Sequence, residues 1–302
     1  MRDFYGKRII YFIISAALIL TGIIGLFING VKLDITFSGG AKITYSYTGE
    51  EIDAAEVEAI VKKTLNREAS VQNSIGYQHD DTALIISLAG TESMETEEQE
   101  KLFNALNKKY AGQQLEQGST TNVEPAIGHR FFVRGLIAIG LAAIFIIFYV
   151  SLRFSIVSGF TAALTALVAL IHDIALIFFV YVLFGLPIND GFIAVVLTIL
   201  GYSVNDTLVL FDRIRENKKL HGNKLTVPAL VNKSISQSLT RTINTSLMSL
   251  AAIALVLIFG IINELTSIVN FALPMMVGII SGCYSSSFLA PCLWGMIKNK
   301  QK

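Results

Sequence analysis

Six stretches of roughly twenty apolar residues constrain this chain more than anything else in it. A helix that crosses a bilayer needs about that many. Ile9 to Ile28 carries no charge and follows Arg2, Lys7 and Arg8. It lacks a small-residue cleavage site, which points to a retained anchor rather than a removed leader. Gly135 to Leu152 is the second run, closed by Arg153. Phe154 to Phe184 is the third, interrupted only by His172-Asp173. After the turn Gly185 to Asn189 comes Phe192 to Phe211, which carries Asn205-Asp206 and gives way to the polar segment Asp212 to Asn217. Ile243 to Ile262 and Ile268 to Ile297 complete six spans. Only 16% of the 302 residues are charged, against about 25% in soluble domains. That excludes an ordinary soluble protein and a disordered chain.

Basic residues orient the spans. Residues 29–134 hold 10 of the 24 Lys and Arg and 16 Asp and Glu, a net charge of −6. The other 14 all fall at span ends and connections on one side, while the turns near Gly185 and Glu264 have none. Residues 1–8 are therefore expected inside, 9–28 as the first span, 29–134 as an outer domain, and 135–302 as spans two to six. Both termini then face the cytoplasm. Thr226 to Thr242 has a capping Thr226, Pro228 in its first turn, and an apolar face of Val227, Leu230, Val231, Ile235 and Leu239. It is expected to be an amphipathic helix on the inner membrane surface. Cys283 and Cys292 sit in one apolar stretch and read as small packing residues.

The outer segment has its own pattern. Ile43, Tyr45 and Tyr47 alternate and predict a half-buried strand. Thr48-x-x-Glu51 reads as a capping box before a helix with Val57, Ile60, Val61 and Leu65 on one side. Strands follow near Val71 and at 83–88. Thr96-x-x-Gln99 reads as the cap of a helix with Leu102, Phe103, Leu106 and Tyr110, and a last strand covers 114–123. Strand, helix, strand, strand, helix, strand is the α+β split-βαβ, ferredoxin-like order. His79 and His129 are isolated, and Asp80-Asp81 and Glu95 to Glu100 read as solvated faces. Such a domain is expected to bind rather than to cut.

Ionisable groups inside spans are expensive and mark function. Thr198, Tyr202 and Asp206 fall at i, i+4, i+8, with Asn205 beside them, and form a polar stripe expected to face protein or water. Withdrawing a carboxylate from water penalises its charge unless a cation lies close. Arg241, at similar depth on the fifth span with Thr245, Ser249 and Asn244, is the candidate cation. A carboxylate that gains and loses such a partner is the unit of a proton relay. His172-Asp173, with Thr161 and Thr165 on the histidine's face, is a second candidate, or else a buried pair that bonds helices together. Gly278-x-x-x-Gly282 is a close-packing motif. The chain has no G-x-x-x-x-G-K-[ST] loop and no H-E-x-x-H, so neither an ATP site nor a zinc protease is expected. With no cofactor or metal implied, an ion gradient is the expected energy source.

These motifs, in this order, resemble the SecF family, the smaller membrane subunit of the bacterial SecD–SecF complex. Phe37-Ser-Gly39-Gly40 resembles the family's F-[ST]-G-G, and Glu124 to Gly128 resembles its return to the membrane. His172-Asp173 resembles its third-span pair. Gly201 to Thr207 with Phe211 to Asn217 is the most specific match. Asn232 to Arg241 and Gly278 to Ser286 resemble its last two signatures. The resemblance implies half of a resistance-nodulation-division (RND) fold with a pseudo-two-fold partner. It implies an accessory, non-enzymatic role in preprotein export, driven by protons and shared with SecD, the SecYEG channel and SecA. Asp206 would match the fourth-span acid of the proton path, and Arg241 the basic residue that opens the fifth span. Half of an RND-type lipid or drug exporter shares the intramembrane residues and stays open at this point.

Overall fold

The computed structural model describes residues 3–49, 52–67, 69–75, 82–89, 94–123, 125–157, 159–263 and 265–300. Among them are six helices long and apolar enough to cross a membrane. These are α1 (Arg8–Asn29), α5 (Pro125–Arg153), α6 (Gly159–Leu183), α7 (Asp190–His221), α8 (Val227–Ile262) and a composite sixth. The sixth runs from α9 (Thr266–Tyr284) through a π-helical turn (Ser285–Leu289) into α10 (Ala290–Lys300). Helices α6 and α7 are about half buried within the chain, whereas few residues of α5 are fully buried. The central pair is therefore where a buried polar group can be held.

Several boundaries differ from expectation. Helix α5 starts at Pro125, well before Gly135, because proline suits a first helical turn. The polar residues His129, Arg130 and Arg134 ride on its first turns. Helix α7 runs on to His221, past the polar segment expected to end it. The expected surface helix at 226–242 is not separate. It is the first part of one continuous helix, α8, that becomes the fifth span. Thr226 does cap it, accepting from the Ala229 amide. Its apolar face, however, is spent on protein: Leu230, Val231 and Ile235 pack with Tyr5, Phe211, Ile214 and Trp294. Cys292 is fully buried and Cys283 partly so, both as free thiols.

Between α1 and α5 lies an α+β insert. A short helix α2 (Ile35–Ser38) leads into β1 (Gly40–Tyr47), α3 (Ala54–Leu65), β2 (Ala69–Ile75), β3 (Thr82–Ala89), α4 (Thr96–Lys109) and β4 (Glu116–Val123). The strands form one antiparallel sheet in the order β2-β3-β1-β4. Ile43, Tyr45 and Tyr47 do point to one side. With Leu84, Ile86 and Leu88 they bury against Val57, Val61, Leu102 and Leu106. Both helix caps shift. Asp53, not Thr48, caps α3 by accepting from the Ala55 amide, and Glu51 lies outside the described residues. Glu95, not Thr96, caps α4, since its extended backbone is what the position requires. Glu98 reaches back to the Glu95 amide. His79 and Asp80-Asp81 also lie outside the described residues, and His129 is exposed.

The insert touches the spans at few points. Leu33 forms a parallel bridge with Ile188 in the turn between α6 and α7. The bonds are Asp34 N–H to Ile188 O (3.0 Å) and Ile188 N–H to Lys32 O (2.9 Å). Asp34 also caps α2. Phe37 is buried against Phe132 of α5, with ring centroids 5.4 Å apart. The next residues, Gly39 and Gly40, take φ of +76° and +135°, a turn that favours glycine. Gly128 on α5 must also be small, because a Cβ there would lie 2.9 Å from Gly39 N. Two separate sequence motifs thus meet in one tight crossing. On the far side, the Thr266 hydroxyl donates to Asn73 O at 2.9 Å. A cavity of about 310 Å³ remains between the sheet and the α6–α7 turn, lined by residues such as Lys32, Ser70, Ser87 and Pro187.

Helices α3 and α4 are tied by Glu56, which accepts from Lys109 and, at 2.7 Å, from Tyr110. These two bonds hold the Glu56 carboxyl below its ordinary range. A carboxylate depressed in the folded state stabilises above its unfolded pKa and loses that contribution as pH falls through the folded one. Glu56→Gln is therefore expected to cost stability at neutral pH and to converge with wild type in acid, so that the stability of the insert, followed by circular dichroism, falls less steeply with pH in the variant.

Candidate functional site

Asp173 of α6 is 1% exposed and lies in the middle of the helix bundle. Three hydroxyls donate to it. Ser203 of α7 and Ser285 of the π-turn bond Oδ2 at 2.7 Å each, and Ser281 of α9 bonds Oδ1 at 2.5 Å. His172 Nδ1 sits 3.3 Å from Oδ1. The other ring nitrogen, His172 Nε2, is buried with no hydrogen-bond partner among the described residues. The three serines take the place of water around Asp173. Thr165, expected on the same face, instead bonds back to Thr161 O and Ala162 O of its own helix.

Glycine makes the cluster possible. A Cβ at Gly278 would lie 2.7 Å from Ile199 Cγ1 of α7, and one at Gly282 would lie 3.2 Å from Ser203 Cβ. Bare backbone at these positions lets α9 close on α7 until Ser203 and Ser281 reach one carboxylate. The wider π-turn then brings Ser285 round to the same acid, while Ser286 bonds back to Gly282 O. Such turns recur at functional sites. Nothing in the run Ser285-Ser286-Ser287 signals it beforehand, although all three serines are buried.

Asp206 lies three residues beyond Ser203, on the same side of α7. It is 4% exposed, and its Oδ2 is buried with no hydrogen-bond partner among the described residues. Its charge and that of Arg241 interact, and Cys283 is also within electrostatic reach. No bond to Arg241 satisfies the carboxylate, and Arg241 is exposed on α8. The expected stripes are thus split. On α7, Asp206 is buried and Tyr202 half-buried, but Asn205 and Thr198 are exposed, and Thr198 bonds back to Ala194 O at 2.7 Å. On α8, Asn244 and Thr245 are exposed with Arg241, and Thr245 bonds back to Arg241 O.

The buried polar line of α8 is a different one: Ser234, Ser238, Thr242 and Ser246, at every fourth residue. Sequence reasoning missed it, though its i+4 spacing was visible beside the more conspicuous Arg241. Ser246 accepts from the Tyr202 hydroxyl at 3.0 Å. Ser234 accepts from Asn217 at 3.0 Å, and Gln237 does so at 2.8 Å. A cavity of about 290 Å³ between α7, α8 and α9 is bordered by Thr198, Tyr202 and Ser249. The arrangement therefore places two buried carboxylates on adjacent helices. One is fully supplied with donors, the other has an unmet oxygen, and Ser203 lies between them.

The family model described as "Protein export membrane protein SecD/SecF, C-terminal" matches residues 103–300. The chain belongs to the SecD/SecF family. It is 32% identical to the protein translocase subunit SecF of Petrotoga mobilis, over 99% of this chain and 97% of that one. It is 33% identical to SecF of Calditerrivibrio nitroreducens, over 99% and 95%. Among solved structures it resembles SecDF of Thermus thermophilus with a TM-score of 0.80 and 28% identity, covering all of this chain and 39% of that one. A SecDF in the "Super-membrane-facing form" matches at 28% identity with a TM-score of 0.64, over 99% and 39%. This SecD/SecF-family chain thus spans about two fifths of each SecDF polypeptide, and as a whole it superposes better on the first.

Hydroxyl bonds between membrane helices contribute about 0.6 kcal/mol each and up to about 1.7. Losing three at once in Asp173→Ala is expected to destabilise the bundle by roughly 2–5 kcal/mol. The same family member with Ser286→Ala is expected to lose far less, since Ser286 bonds only its own helix. Thermal unfolding in detergent distinguishes the two.

Proposed function

We propose that this chain is an accessory subunit of the bacterial Sec protein translocase, working with SecD and drawing on the proton-motive force in late steps of preprotein export. Membership of the SecD/SecF family and near-complete coverage of SecF relatives support the translocase role. The observation that carries the proton reading is Asp206, an acid in a span with a buried oxygen that nothing satisfies. A proton satisfies that oxygen as no fixed partner does. Asp173, His172 and Ser203 hold the adjacent polar centre against which Asp206 can exchange, and the exposed Arg241 supplies a nearby positive field. Asn205, beside Asp206 and exposed, faces the surface where a second half would pack.

In this reading both termini and the basic ends of α7 and α8 face the cytoplasm, where SecYEG and SecA act. The insert is extracytoplasmic. Its strand order and two helices on one side fit a ferredoxin-like domain. It meets the spans through two turns and the Phe37-Gly39-Gly40 crossing on α5, so movement of α5 to α9 reaches it directly. SecD would supply the pseudo-two-fold half of an RND-like pair, and the unfolded preprotein would engage on the outer side. Protons are the coupling ion, and no cofactor is needed. Moving one charge across the membrane is worth about 2.3 kcal/mol per 100 mV, enough to bias helix packing. A lipid or drug exporter half could carry the same buried acids, but the relatives named above are translocase subunits.

Asp206→Asn fixes a neutral side chain at the site that cannot take up or release a proton. Membranes carrying it are expected to retain a SecD-like chain on co-purification. Preprotein release from spheroplasts is expected to fall to the level seen when the proton gradient is collapsed. Release that stays gradient-dependent in this variant contradicts the proposal.

A further inference from the structure

Helices α1, α6 and α9 do not close on one another along their whole length. At the insert end α1 meets α6 tightly, since a Cβ on Gly22 would lie 2.1 Å from Phe179 Cγ and one on Gly25 would lie 2.4 Å from Leu183 Cδ2. At the other end α1 is tied to α9, where Ser15 donates to the Tyr284 hydroxyl at 3.3 Å and Tyr284 donates to Tyr11 O at 2.6 Å. Between these two contacts a groove of about 440 Å³ remains, lined by residues that include Leu18, Thr21, Leu176, Val277, Ser281 and Tyr284.

The chemistry of the lining restricts what can fill it. It contains no charged residue. Its three hydroxyls are all spent on the protein: Thr21 on Ala17 O, Ser281 on Asp173, and Tyr284 on Tyr11 O. A polar ligand or a peptide backbone would leave its own hydrogen-bonding groups unmet there. A spanning helix, ~10–12 Å across, needs several times this volume, whereas small-molecule cavities of ~300–1,000 Å³ include it. Ile14 and Leu18 on its rim are each more than two fifths exposed, so the groove opens sideways from the spans. The medium it opens to is bilayer hydrocarbon.

We propose that this groove holds one acyl chain of a membrane phospholipid, as a resident part of the bundle. Ser281 lines the groove and also bonds Asp173. The acyl chain therefore seals the His172–Asp173 cluster from the side on which α1 stands away.

Native mass spectrometry of the purified full-length chain, washed in detergent until bulk lipid is gone, tests this. Wild type is expected to keep one phospholipid per chain. Leu18→Phe with Val277→Phe, which fills the groove, is expected to keep none, while Ile144→Phe on the exposed face of α5 keeps one. Wild type with no retained phospholipid, or with a detergent molecule in its place, overturns the proposal without recourse to any variant. So does a filled, folded variant that retains the same lipid.

Discussion

A carboxylate drawn out of water at the centre of a helix bundle has to be answered by something. Here the answer to Asp173 is three serine hydroxyls from two neighbouring segments. That requirement dictates much of the bundle. Helix α9 must come close to α7, so Gly278 and Gly282 stand where side chains would collide. The sixth span must also widen into a π-turn to bring Ser285 round. A span that bonds a buried acid at two levels cannot slide without breaking bonds that no lipid replaces. The polar cluster thus fixes the register of α6, α7 and α9 in a way apolar packing alone, which tolerates sliding, does not.

Asp206 stands in contrast one turn further along α7. Its carboxylate is as deeply placed, yet one oxygen meets nothing. Of the two buried acids, the fully bonded one is suited to hold helices and the under-bonded one to change state. Ser203 lies between them and shares a helix with Asp206, so a change at Asp206 bears directly on the bonds that lock α7 to α6. The insert is joined to the same spans by short connections: the Leu33–Ile188 bridge on the α6–α7 turn, Thr266 on Asn73, and the glycine crossing at Gly39 and Gly128.

The sequence made the spans legible because charge-free runs have few other folds open to them. It made the insert legible because Ile43, Tyr45 and Tyr47 alternate while Val57, Val61, Leu102 and Leu106 repeat at helical spacing. It did not reveal α8 as one helix, because an amphipathic segment reads the same whether its apolar face meets lipid or Trp294 and Tyr5. The serine cluster was equally hidden, since spacing along one helix does not say which hydroxyl of another will reach it. The Arg241 stripe is a related case, since Arg241, Asn244 and Thr245 lie exposed in this chain. Periodicity identifies a face but not its surroundings, and the buried polar face of α8 proved to be that of Ser234 to Ser246. Asp206 was found because an acid in a span is conspicuous by its expense, whereas its lack of a partner is a property of the fold alone.

The central claim is that the Asp206 side chain itself takes up and releases a proton. Infrared difference spectra of the reconstituted chain, recorded as the pH is stepped, report the carbonyl stretch of a protonated carboxyl directly. The account predicts a titrating band that is absent from Asp206→Asn and retained in Ser286→Ala. A band that persists unchanged in Asp206→Asn, or no titrating carboxyl band at all, would contradict it.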